Sequence, residues 1–66
     1  MTETTWRERL TDEFNQLAHR LTKLEQFINT NAFDKLHNTD RELLVRQKAL
    51  MQQLLDVLKL RLNRDP

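Results

Sequence analysis

Leu10, Phe14, Leu17, Leu21, Leu24 and Ile28 recur at alternating spacings of four and three. That repeat lines apolar side chains along one stripe of a helix facing a partner. Thr5, with Glu8 three residues on, forms a capping box ahead of the run, and Trp6 falls in the first turn. No proline or glycine interrupts Trp6 to Ile28, and the Arg, Glu, Gln, Leu and Ala of this window favour helix. The pattern predicts a helix over about 6–29.

The next stretch, Asn29 to Asp40, concentrates Asn, Thr and Asp, whose side chains compete for backbone groups and mark caps and turns. A connector over about 30–39 follows. Phe33 and Leu36 within it suit one short helical turn laid across the end of a hairpin, with Phe33 as the plug rather than a stacking platform. His37 has no His, Asp or Glu at a spacing that selects a metal, and reads as a solvated loop residue.

Thr39 with Glu42 predicts a second capping box, opening a helix over about 40–62. This helix carries two adjacent stripes: Leu43, Gln47, Leu50, Leu54, Val57 and Arg61, and beside it Leu44, Lys48, Met51, Leu55, Leu58 and Leu62. One antiparallel neighbour covers only one of them. The second stripe is expected to stay open in the monomer, so Leu44, Met51, Leu55, Leu58 and Leu62 are the candidate oligomer interface.

The expected fold is therefore all-α. It is a single domain over 1–66, an antiparallel hairpin of two long helices with a short helical turn in the connector, assembled coiled-coil fashion into a homo-oligomeric bundle. A homodimer or homotetramer is expected. At 66 residues without cysteine the chain has no disulfides to supplement a small core, which strengthens that expectation.

Composition narrows the function. The absence of glycine and cysteine removes phosphate-cradling glycine loops, the dinucleotide fingerprint and thiolate metal sites. Eleven Lys and Arg against ten Asp and Glu form no clean basic face, so no nucleic acid is expected as a partner. Apolar runs of three residues at most fall far short of a membrane span. With no signal-like start, the expected location is the cytoplasm.

Catalysis has little to work with. His19 and His37 lack a nucleophile at a recognisable spacing, serine does not occur, and the close acidic pairs read as helix-surface charges. No enzyme activity, cofactor or metal is expected. The informative positions are polar groups interrupting apolar stripes, because a group there loses water unless it is paired. Gln47 and Arg61 are two such groups, with Glu13 and Arg20 on the flank of the first helix. One reading pairs Arg61 with Glu13 or Asp12 and lets Gln47 fix the register of an interface. The other gathers Arg61, Arg9 and Lys23 around phosphate, with Gln47 reading a polar edge and Phe27 or Trp6 offering a stacking face. On the second reading the candidate ligand-binding residues are Arg9, Lys23, Phe27, Gln47 and Arg61.

From about Arg7 to Leu62 the chain resembles a family of short helical proteins encoded in tailed-phage and prophage genomes, most without an assigned role. The resemblance rests on Arg9-Leu10 with Glu13 and Leu17, Lys23-Leu24, Phe27-Ile28, Phe33 and Leu36, Leu43-Leu44 with Gln47 and Met51, and Leu58 with Arg61-Leu62. Leu54 stands where that family often has an aromatic residue. The resemblance implies a phage accessory protein acting in the host cytoplasm. Some proteins of similar architecture are anti-defence sponges for nucleotide immune signals, such as cyclic dinucleotides or ADP-ribose derivatives. The function this implies is sequestration of such a signal at an oligomer interface. The alternative is a non-enzymatic helical adaptor or inhibitor that binds a host or phage protein.

Overall fold

The computed structural model describes residues 5–64. Their elements are three helices, α1 (Trp6–Ile28), α2 (Asn31–Asp34) and α3 (Asn38–Leu62), with α1 and α3 packed against each other. The molecule is elongated, 49 × 23 × 15 Å.

Local capping explains each boundary. At the start of α1 the Thr5 hydroxyl oxygen accepts from the Glu8 backbone N–H at 3.1 Å. The same hydroxyl donates to Glu8 Oε1 at 3.2 Å, so the glutamate answers the cap through the threonine side chain. Asn29 ends α1. Thr30 then caps α2, accepting from the Phe33 N–H at 3.4 Å.

The start of α3 differs from the expected Thr39–Glu42 box. His37 is the cap: its Nδ1 accepts from the Thr39 N–H at 3.4 Å, and the helix begins at Asn38. A short polar acceptor in extended backbone is all a cap requires, and imidazole supplies one here.

The packing of α3 reverses the expected assignment of its two stripes. Leu55 and Leu58 are buried, Leu58 to 3% exposure, together with Leu10 and Leu21 of α1. Leu44, Lys48, Met51 and Leu62 are half-buried on the same side. The residues expected to form the oligomer interface therefore form the hairpin's own seam. The stripe of Leu43, Leu50, Leu54 and Val57 lies open, with Leu50 at 58% and Leu54 at 49% exposure.

The reason is the number and kind of polar interruptions. The buried stripe has five apolar residues and one break, Lys48, whose Nζ reaches Glu25 of α1 at 4.0 Å and keeps its charge near the surface. Burying the other stripe would desolvate both Gln47 and Arg61 in exchange for four apolar residues.

Phe33 closes the connector end. It is buried and meets Phe27 edge to face, ring centres 6.1 Å apart and planes at 88°. At the opposite end, Arg7 lies over the Trp6 ring, 4.9 Å from its centre, and donates to the Leu62 carbonyl at 2.8 Å and the Arg64 carbonyl at 3.5 Å. No helix of the described residues is long and apolar enough to cross a membrane.

Candidate functional site

The open stripe of α3 does not stand alone. Leu17, Glu13, Gln16 and Arg20 of α1 line a shallow groove of about 180 Å³ with Leu54 and Leu58, so the two helices share one continuous face. Toward the chain termini this face opens into a cleft of about 280 Å³ between Trp6, Arg9, Leu10 and Glu13 of α1 and Arg61 of α3. Of the five candidate ligand residues, the fold brings together Arg9 and Arg61.

The other three sit toward the connector. Lys23 is fourteen residues beyond Arg9 on the same helix, about 21 Å along its axis. Phe27 is exposed on its outer side and joined to Phe33 on its edge. Gln47 is exposed, and its amide donates to Met51 Sδ at 3.9 Å, a weak acceptor. One chain does not gather all five around a single ligand.

The ion pairing of Arg61 with Glu13 or Asp12 is not made. The Lys48–Glu25 contact is the one salt bridge among the described residues, although Glu13 lines the same cleft as Arg61. Arg9 of α1 and Arg61 of α3 thus share one cleft with Trp6 and the Glu13 carboxylate, while the guanidinium over the indole face is that of Arg7. Arginine forks present paired donors to phosphate or carboxylate, and an indole face stacks on planar rings. The cleft suits a planar anion. Trp6 completes it and was read in the sequence only as an alternative stacking face. The signal was present in its register: Trp6, Leu17, Leu24 and Phe27 form the flank of α1 that borders the open face.

Among the described residues, no three His, Asp or Glu side chains are grouped to hold a metal ion. The Sequestin family model matches residues 4–64, nearly the whole chain. The chain belongs to the Sequestin family. No curated protein and no solved structure matches it. For this member of the Sequestin family, the matched span takes in both long helices, the connector and every candidate site residue named above.

Proposed function

We propose that this Sequestin family member is a non-enzymatic, phage-encoded anti-defence protein. It captures a nucleotide-type immune signal, a cyclic dinucleotide or an ADP-ribose derivative, in the cytoplasm of the infected host and holds it at an interface between copies of the chain. The family name supports sequestration as the activity. The observation that carries the choice of ligand is the convergence of Arg9 and Arg61 beside Trp6 in one cleft. Phosphate takes the two guanidiniums, a base stacks on an aromatic face, and Gln47 reads a polar edge. Holding a ligand without turning it over asks for binding groups alone, which is what these side chains supply.

Titration of the purified protein with cyclic di-GMP, cyclic di-AMP and ADP-ribose by calorimetry tests the reading. Binding of at least one is expected, and Arg61→Ala is expected to weaken it roughly 10- to 100-fold with oligomer mass unchanged. A response to none of them favours the adaptor reading, in which the open apolar face docks on another protein.

A further inference from the structure

The open face poses two problems that one arrangement solves. The first is surface. Size scaling gives a folded monomer of this mass about 4,450 Å² of accessible area, whereas this 8.0 kDa chain exposes 5610 Å². The surplus of about 1,150 Å², which accompanies the elongated shape of the hairpin, exceeds the roughly 800 Å² per partner of a standard interface. Leu43, Leu50, Leu54 and Val57 form a contiguous apolar part of it. The second is the separation of the candidate ligand residues between the two ends of the hairpin.

We infer that the open face is the contact with a second copy of this chain, laid antiparallel, and that each ligand site is built from the terminal end of one copy and the connector end of the other. The inference deepens the proposed function and rests on it for the ligand. A two-fold axis midway between Leu50 and Leu54 sets Leu50 against the partner's Leu54. It also sets Gln47 against the partner's Val57, and Leu43 against the aliphatic stem of the partner's Arg61. The stripe is self-complementary in this register, as a two-fold contact requires.

Charge selects the antiparallel direction. The first turn of α3 carries Asp40, and its last turn carries Lys59 and Arg61, with Arg64 just beyond. Reversal brings Asp40 opposite the partner's Arg64, whereas stacking like ends would crowd Arg9, Arg61 and Arg64 of both copies together.

The same reversal assembles the site. Arg61 falls about 6 Å along the axis from the partner's Gln47, at 1.5 Å per residue. The hairpin sets Leu10 and Glu13 beside Arg61. Arg9 therefore comes about 7 Å along the axis from the partner's Phe27 and about 13 Å from the partner's Lys23, a span that a nucleotide-sized ligand bridges between long side chains. The five candidate residues line one extended site, twice per dimer, in which Arg9, Arg61, Arg64 and the partner's Lys23 outnumber Glu13 and the partner's Asp40, so that an anion completes the balance.

The chain has no cysteine, so disulfide trapping reads the pairing without any ligand. Leu43→Cys and Arg61→Cys are each expected to stay uncrosslinked alone under mild oxidation, and to form a linked dimer when mixed. Cross-linking of either variant alone would overturn the antiparallel direction. No linkage in the mixture, with a monomeric mass by sedimentation, would overturn the pairing and leave the face to a different protein.

The shared site has its own test with the same three nucleotides. Arg61→Ala and Gln47→Ala homodimers are each expected to bind roughly 10- to 100-fold more weakly, since both sites of each lack one group. Co-refolding the two variants restores one intact site per mixed dimer, half the wild-type stoichiometry. No restoration would place each site within a single chain. Silence of the wild-type protein toward all three, with cross-linking as expected, overturns the ligand and the shared site while the pairing stands.

Discussion

Two leucines two positions apart show how much a single residue's place decides. Leu58 is 3% exposed in the hairpin seam, and Leu60 is 66% exposed. Leu58→Ala is expected to cost about 2–5 kcal/mol, enough to unfold most of so small a domain. Leu60→Ala is expected to stay within about 0.5 kcal/mol. Denaturant titrations followed by circular dichroism check both. At this scale the sequence singles out Arg61 because it interrupts an apolar stripe and adds Arg9 as a cation able to converge with it, and the fold places both on the wall of one cleft. The wrong assignment of the open stripe also arose here. It needed a comparison of what each stripe would strand in the core, and the ability of Lys48 to reach Glu25 depends on the exact register between helices. The spacing of residues along one helix does not contain that register.

The helices themselves follow from periodicity and caps. The seam from Leu10 to Ile28 and the Thr5 cap place α1 where the sequence puts it. The start of α3 was harder to read, because Thr39 and Glu42 offer a standard box while the chain uses the less common histidine two residues earlier. A cap is chosen by backbone geometry at the turn out of α2, and that geometry is tertiary. Asparagine, serine and aspartate are the stronger caps, so His37→Asp is expected to stabilise the protein by a few tenths to about 1 kcal/mol. The negative charge at the amino end of α3 works in the same direction. Thr5→Ala is expected to destabilise by about 1 kcal/mol. Thermal melts of the two variants beside the wild type give the opposite shifts directly.

For the whole molecule, the balance lies between a thin intramolecular core and a broad open face. If copies pair through that face, association and folding are linked, and the melting temperature is expected to rise with protein concentration. A melting point that stays constant from the micromolar to the millimolar range counts against the pairing. Leu50→Glu is expected to lower the mass to a single copy while leaving the helical signal in place. Leu55→Glu, in the hairpin seam, is expected to lose the helical signal itself.

The bend is made without any left-handed residue: among the described positions no backbone φ is positive, and the connector is itself partly helical. Nothing in the local backbone forbids the chain from straightening into one rod of roughly 85 Å. What opposes it is the seam of Leu10, Leu21, Leu55 and Leu58 between the long helices, joined at the bend by the aromatic latch of Phe33 on Phe27. Loosening that latch, as in Phe33→Ala, turns a fold-back protein into a candidate for arm exchange, with each chain lending its carboxy-terminal helix to a neighbour and the scattering profile lengthening accordingly.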